Sequence, residues 1–252
     1  MQAELLQAEV FGVTERDIIP ANELIVVAET GGAVIAAFMA EEPDHAVAYL
    51  IGWGGYVGRP RIVSDSLGVK RHLRGLGLAY ELKRLQAAVA IGRGFAEIVW
   101  TVDPLRAANA RLNFGKLGAM ARSYEIDRYG SGFAAELYGG MPTDRLHVTW
   151  EIATPRVAAL LLGERANDKR AHGPPPPHFV PGVNQQRALI DIPADIDALV
   201  ASSPSEALIW RLRLRESLSQ AFSEGFEVTG FLAIGREGNP SLILERPIDS
   251  PT

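Results

Sequence analysis

Two glycines between an apolar segment and a predicted helix carry the clearest chemical signal in this chain. The sequence His72-Leu-Arg-Gly-Leu-Gly77 follows a predicted strand over 61–69 and leads into a predicted helix over about 77–91. Glycine lets the backbone bend tightly beside a ligand, and the first N–H groups of a helix have no partner within the helix. A phosphate or pyrophosphate suits such a turn, because its negative charge is attracted to those N–H groups. The loop is therefore predicted to bind an anion.

Two common nucleotide-binding motifs do not fit this turn. A dinucleotide-binding turn has the pattern G-x-G-x-x-G, whereas Tyr80 occupies the position of the third glycine. Asp103 is the nearest candidate for the acidic partner of that motif, but it precedes Pro104 and has a simpler role as a helix cap. A P-loop requires Gly-Lys-Ser/Thr, which does not follow Gly77. The glycine pair alone leaves the ligand class open.

A second motif lies on the next predicted helix. This helix is expected to begin at Asp103-Pro104 and to end at Gly118, and it carries Asn109-Ala-x-x-Asn113-Phe-x-Lys-Leu-Gly-Ala119. Together with Arg74-Gly-Leu-Gly77, this segment resembles the GNAT superfamily of acyl-CoA-dependent N-acyltransferases. In that superfamily the loop reads Gln/Arg-x-x-Gly-x-Gly/Ala, so the chain departs from the pattern at His72. The resemblance covers about residues 5–152 and extends to one branch of predicted acetyltransferases.

The resemblance implies a mixed α/β GNAT fold. Its elements would be two helices, three strands, the loop helix, a strand, the Asn109 helix and two more strands. The usual first strand of the superfamily has no counterpart here, which leaves room for the C-terminal strands to fill that edge of the sheet. The implied reaction is transfer of an acyl group from acyl-CoA to a primary amine, by direct attack through a tetrahedral intermediate.

The resemblance also assigns site residues position by position. The strand 61–69 would separate from the next strand and leave its backbone groups free for the acyl donor, with Leu67 stabilising the oxyanion. Asp65 is the candidate general base. Phe114 stands where many members have a tyrosine that reprotonates the CoA thiolate, and Tyr124 is a candidate substitute. The candidate catalytic residues are Asp65, Leu67 and Tyr124, and the candidate cofactor-binding residues are Leu67, Gly68, Val69, Arg71, Leu73, Arg74, Gly75, Leu76, Gly77, Leu78, Asn109 and Phe114.

Alternatives to this function stay open at the sequence level. The acyl donor is expected to be acetyl-CoA, but succinyl-CoA or another longer acyl-CoA fits the same residues. A non-catalytic CoA-binding module that acts as a sensor or assembly part is a second hypothesis, because Phe114 cannot donate a proton. A nicotinamide-dependent enzyme is a third.

Composition limits the possible partners. The chain has 252 residues, a formal net charge of -5 and no cysteine, so disulfides and thiolate metal sites are excluded. The five histidines show no metal-ligand spacing, and we expect no metal. A negative chain has no general attraction to nucleic acid, and no apolar run reaches the roughly 18 to 20 residues that span a bilayer. We expect a cytoplasmic protein that acts on a small-molecule amine without membrane or nucleic-acid partners, and a homodimer is left open.

The character of the sequence changes after Trp150. The expected division is a catalytic domain over 1–152, a helix and proline-rich linker over 153–185, and an α+β extension over 186–252 that packs on the first domain. In the extension, Ser203-Pro-Ser-Glu206 has the spacing of a capping box at the start of a helix. Arg211, Arg213 and Arg215 occupy alternate positions of that helix, so most of them are expected to face solvent.

Overall fold

The computed structural model describes residues 2–11, 17–130, 140–163 and 174–247. These residues form seven α-helices and nine strands, and their contacts group the chain into two compact units. One unit comprises Met1–Trp100 and Glu151–Thr154, and the other comprises Thr101–Trp150 and Pro155–Thr252. This grouping differs from the division expected after residue 152, which stays a prediction. None of the described helices is both long and apolar enough to cross a membrane.

The first unit is a sheet with helices on both faces. Its elements are α1 (Gln2–Phe11), α2 (Ala21–Glu29), β1 (Ala33–Met39), β2 (Glu42–Val57), β3 (Arg59–Val69), α3 (Leu78–Gly92) and the start of β4 (Ile98–Val102). The strands lie in that order, antiparallel except for the parallel pair β3–β4. Alternate residues of β2 face opposite sides, because Tyr49 and Ile51 pack with α1 and α2, whereas Ala48 and Leu50 pack with Leu82 of α3.

The buried face of α3 differs from the one that leucine spacing predicts. Spacings of four, three and four residues predict one buried face made of Leu78, Leu82, Leu85 and Val89, yet the Leu85 side chain is 52% exposed. Two polar residues, Lys83 and Gln86, are buried instead. The buried positions of α3 recur at helical spacing and include small residues that allow a close approach to the sheet: Leu82, Lys83, Gln86, Ala87 and Ala90.

The second unit contains the rest of the chain. After the end of β4 its elements are α4 (Ala107–Ala110), which continues as a π-helix (Arg111–Lys116), then β5 (Met120–Glu125), β6 (Arg145–Trp150), α5 (Pro155–Leu161), β7 (Arg187–Asp191), α6 (Ile196–Ser202), α7 (Pro204–Ser223), β8 (Glu227–Leu232) and β9 (Ser241–Glu245). Five antiparallel strands lie in the order β6-β5-β8-β9-β7. Neither β7 nor α6 was predicted.

The C-terminal strands do not occupy the sheet edge that the missing first strand leaves open. Instead, β8 pairs with β5 through Ala121 and Val228. Within the described residues, β1 pairs with β2 alone. Strands β8 and β9 therefore extend the sheet of the second unit.

Three predicted details at element ends are also wrong. The turn over 41–45 is shorter, because β2 already begins at Glu42. The helix expected from Asp103 begins at Ala107, since 103–106 form a turn in which Asp103 accepts the N–H of Leu105 at 3.0 Å. At α7, the Ser203 side chain makes no capping hydrogen bond, and its backbone carbonyl accepts the first N–H groups instead.

The arginines of α7 form the main polar contacts of the second unit. Arg211 is fully buried and donates to Asp103 at 2.8 Å, and Arg215 donates through two nitrogens to Asp144 at 2.9 Å each. The expectation that most of these arginines face solvent is therefore wrong, and only Arg213 of the three is exposed. The reason is that buried carboxylates require a charged partner. Asp103 and Asp144 lie in the half of the chain that carries the second motif, so α7 is bonded to it.

Candidate functional site

The loop between β3 and α3 leaves a row of backbone N–H groups without acceptors. A single turn of 3₁₀-helix (Arg71–Leu73) leads to Gly75 and Gly77, whose φ angles of +84° and +92° favour glycine. Across the ranges that the structure describes, no acceptor is found for the N–H groups of residues 75–79. A Cβ atom at either glycine would meet nothing within 4 Å, so the loop is open on that side. This geometry fits an anion at the N-terminus of a helix.

Apolar side chains hold the loop in place. Leu73 and Leu78 pack against the buried cluster of Ala48, Leu50, Val69 and Leu82. Between them Leu76 points outward and is 72% exposed. The loop is therefore anchored to the core at both ends while its backbone stays accessible.

The basic residues beside the loop differ in how they are engaged. The Arg74 guanidinium donates to the carbonyl oxygens of Val69 at 3.2 Å and Val10 at 3.4 Å, and Lys70 forms an ion pair with Glu9 at 3.2 Å. Arg71 is exposed and has no ion-pair partner in the described part of the chain. Among the residues that the structure describes, Arg71 is thus available to a bound anion, whereas Arg74 also tethers the loop.

Strand β3 pairs with β4 only over Ile62 and Val63 in the described residues. The last residue of β3 that is paired with β4 is Val63, so the pairing does not include the β3 residues after Val63. The Lys70 N–H donates to the Val47 carbonyl of β2 at 3.0 Å. Because N–H groups alternate in direction along a strand, those of Leu67 and Val69 point away from β2. The predicted backbone contacts of Leu67 and Val69 thus face the side where pairing has stopped.

A β-bulge interrupts β3 at Asp65. The register with β2 passes directly from Ser66 to Ser64, which leaves Asp65 as the extra residue. Ser64 accepts a hydrogen bond from Lys83 of α3 at 2.7 Å, and Ser66 bonds the Tyr49 hydroxyl on the other face at 2.8 Å. The two-residue period of a strand predicts that the two serines share one face, and this is wrong because the bulge breaks that period.

Asp65 itself is exposed at the bulge. Although the residue as a whole is exposed, neighbouring protein atoms exclude part of the water around its carboxyl and raise the pKa of that group above its ordinary value. A raised pKa makes a carboxylate a stronger base, which suits the predicted general base. Gly68 lies three residues further on, and a Cβ there would come within 2.5 Å of the Tyr49 ring, so this glycine provides room for packing.

A buried amine lies close to the bulge and was not anticipated. Lys83 is 4% exposed, donates to Ser64 Oγ at 2.7 Å and Gln86 Oε1 at 3.3 Å, and has Nζ 3.8 Å from the centroid of the Trp100 ring. Burial lowers the pKa of Lys83 to about 7. The sequence does hold a signal for its burial, because helical spacing puts Lys83 and Gln86 on the same face as the apolar Leu82 and Ala87.

The predicted site residues of the second unit lie in different environments. Asn109 is exposed on α4, and Phe114 is 3% exposed within the π-helix. The Tyr124 hydroxyl donates to Asp144 at 2.6 Å, and burial together with that carboxylate raises the pKa of Tyr124. The Tyr124 proton is already in a hydrogen bond to Asp144, and a raised pKa makes that proton harder to release, so both observations disfavour Tyr124 as an acid. No group of three or more acidic or histidine residues in the described ranges could hold a metal ion.

From α1 to β6, the described elements follow the order that the resemblance to the GNAT superfamily implies. No protein-family model matches the chain, and no curated protein matches its sequence.

Several solved structures resemble the chain. The NatC complex bound to a Gag peptide and CoA is 13% identical, with a TM-score of 0.46, 59% of this chain covered and 89% of that chain. The ribosomal-protein-S18-alanine N-acetyltransferase from Escherichia coli is 12% identical, with a TM-score of 0.47 and coverage of 61% and 87%. Aminoglycoside 6'-acetyltransferase type Ii is 15% identical, with a TM-score of 0.46 and coverage of 61% and 89%. These likenesses are too distant to transfer a ligand or a residue's role.

Proposed function

We propose that this protein is an acyl-CoA-dependent N-acyltransferase that moves an acyl group, acetyl in the first instance, to the primary amine of a small molecule or amino acid. The observation that carries the proposal is the row of unpaired N–H groups over residues 75–79 at the start of α3. These groups and the helix dipole together favour a pyrophosphate, and the open space beside Gly75 and Gly77 admits it.

The residues of β3 would then act on the two reactants. The Leu67 N–H, directed away from β2, would stabilise negative charge on the thioester oxygen, a contribution of roughly 3 to 4 kcal/mol for one such donor. Asp65 would take the proton from the incoming ammonium, so that the neutral amine attacks. Arg71 would add positive charge beside the loop. The roles of Asn109 and Phe114 rest on the resemblance alone.

A non-catalytic CoA-binding module is the second candidate. The observation that favours it is the state of the two aromatic residues considered for the acid: Phe114 has no proton to give, and the Tyr124 hydroxyl is bonded to a carboxylate. Release of free thiol from acetyl-CoA with a broad panel of amines separates the two functions. An enzyme releases CoA with at least one acceptor, whereas a binding module releases none above the rate without protein.

Calorimetry with acetyl-CoA, succinyl-CoA and free CoA tests the shared premise of both functions. The matched variants are Gly77→Ala and Gly94→Ala, because both glycines have positive φ and open space where a Cβ would lie, but only Gly77 belongs to the loop. The left-handed conformation costs a residue with a Cβ about 1 to 2 kcal/mol, so Gly77→Ala should weaken CoA binding by about 5- to 30-fold. Gly94→Ala should leave it unchanged. Absence of binding by all three ligands would overturn the proposal.

A further inference from the structure

The Lys83 side chain lies where β3 and β4 stop pairing. The last pair in their register joins Val63 to Val99, so Ser64 and Trp100 are the first residues beyond it. Lys83 Nζ is 2.7 Å from Ser64 Oγ and 3.8 Å from the centroid of the Trp100 ring. Lys83 therefore contacts both strands at the positions where the backbone hydrogen bonds between them end.

No carboxylate in the described residues compensates this buried amine. The charged groups on the surrounding elements have other environments: Asp65 is exposed at the bulge, Glu97 forms ion pairs with Arg59 and Arg61, and Glu81 pairs with Arg84 on the outer face of α3. A buried amine without a counter-charge is unfavourable compared with an apolar side chain of similar size. Packing alone therefore does not account for a lysine at this position.

The hydrogen bond to Ser64 fixes one side of the β3 bulge. Lys83 holds Ser64 toward α3, while the Tyr49 hydroxyl holds Ser66 toward the opposite face. Asp65 is the unpaired residue between these two anchors. Bulges change the direction in which a side chain points, and here the direction depends on both anchors remaining in place.

We propose that Lys83 is a positioning residue that acts through Ser64 to hold the β3 bulge, and so sets the direction of the Asp65 carboxylate and the Leu67 N–H. The inference rests on the proposed function for the meaning of those two groups. Lys83 does not contact substrate in this account. Its effect passes through one hydrogen bond into the backbone of β3.

Three variants test the inference on the full chain. Lys83→Met keeps the length of the side chain and removes the donor, Ser64→Ala removes the acceptor, and Arg84→Met is the control on the exposed face of the same helix. Amide hydrogen exchange over 64–67 should accelerate about tenfold in Lys83→Met and in Ser64→Ala, the fold-change that corresponds to loss of one hydrogen bond. The double variant should exchange no faster than either single variant, because both remove the same bond.

Binding and turnover supply the readout that distinguishes positioning from general stability. Acetyl-CoA affinity should change far less than turnover in every variant, because residues 75–79 are intact and only the thioester end of the donor would meet β3. With an accepted amine, kcat should fall about 10- to 100-fold in Lys83→Met and Ser64→Ala, as expected for misplaced reacting groups, while KM for acetyl-CoA changes much less than kcat.

The inference would be overturned if the amides of residues 64–67 exchanged in Lys83→Met at the wild-type rate. It would also be overturned if the effects of the two single variants on the exchange rate added up in the double variant. Failure of the wild-type protein to bind acetyl-CoA would instead overturn the proposed function, and the exchange data would still report on the bulge.

Discussion

Replacing Lys83 with methionine should change how the stability of the protein depends on pH. The pKa of Lys83 is lowered by burial from its ordinary value of 10.5 to about 7. Between these values the unfolded chain binds a proton that the folded protein does not, so the free energy of unfolding rises with pH. Below about pH 7 the amine is charged in both states, and this contribution to the slope disappears.

The expected size follows from the width of that pH window. One unit of pKa corresponds to about 1.4 kcal/mol, so the wild-type protein should gain about 3 kcal/mol between about pH 7 and about pH 9.5. The window ends there because of Tyr49, whose pKa burial raises from 10.0 to about 12. Above about pH 9.5 tyrosine begins to lose its proton in the unfolded chain but keeps it in the folded protein, so the free energy of unfolding falls again. Methionine removes the titrating group, so the variant should be more stable at pH 7 and nearly independent of pH across the window.

Urea unfolding at several pH values measures this difference directly. Arg84→Met is the control, because Arg84 lies on the exposed face of α3 and should keep the wild-type slope. Equal slopes for Lys83→Met and the wild-type protein would refute the reasoning, since they would show that the amine keeps its ordinary pKa in the folded state.

Further variants test the ion pairs and the candidate catalytic groups. Arg211→Met should lower the free energy of unfolding by about 1.5 to 3 kcal/mol, because the buried Asp103 loses its charged hydrogen bond and keeps only the longer ion pair with Arg106 at 3.9 Å and the N–H of Leu105 among the described residues, whereas Arg213→Met should have little effect in the same urea assay. Asp65→Asn should lower kcat and remove the acidic limb of the pH–rate profile, with acetyl-CoA affinity unchanged by calorimetry; an unaltered profile would exclude Asp65 as the base. Tyr124→Phe should reduce stability by about 1 kcal/mol through loss of a hydrogen bond, and a large fall in kcat would restore Tyr124 as the acid.

The order of the elements could be predicted from the sequence because local signals agree along most of the first 150 residues. Glycine and proline mark the ends of α2 and α3, and apolar runs of strand length give β1 and β2. The loop with Gly75 and Gly77 could also be predicted, since positive φ angles and free N–H groups are properties of the local sequence.

The details that could not be predicted depend on contacts distant in sequence. The bulge at Asp65 results from the register between β2 and β3, which the two-residue period does not contain. Arg211 is buried because Asp103, 108 positions away, needs a charged partner. Lys83 occupies a core-facing position beside Ser64, and helical spacing could indicate that it shares a face with Leu82 and Ala87 but not that it bonds Ser64.

The most direct test of the central claim is a titration of the ¹⁵N-labelled full chain with acetyl-CoA, followed through the backbone amide resonances of residues 75–79. If these N–H groups bind the pyrophosphate, their resonances should shift in a saturable way, and acetyl-pantetheine, which lacks that group, should not reproduce the shifts. Unchanged resonances for residues 75–79 at high acetyl-CoA concentration would contradict the account.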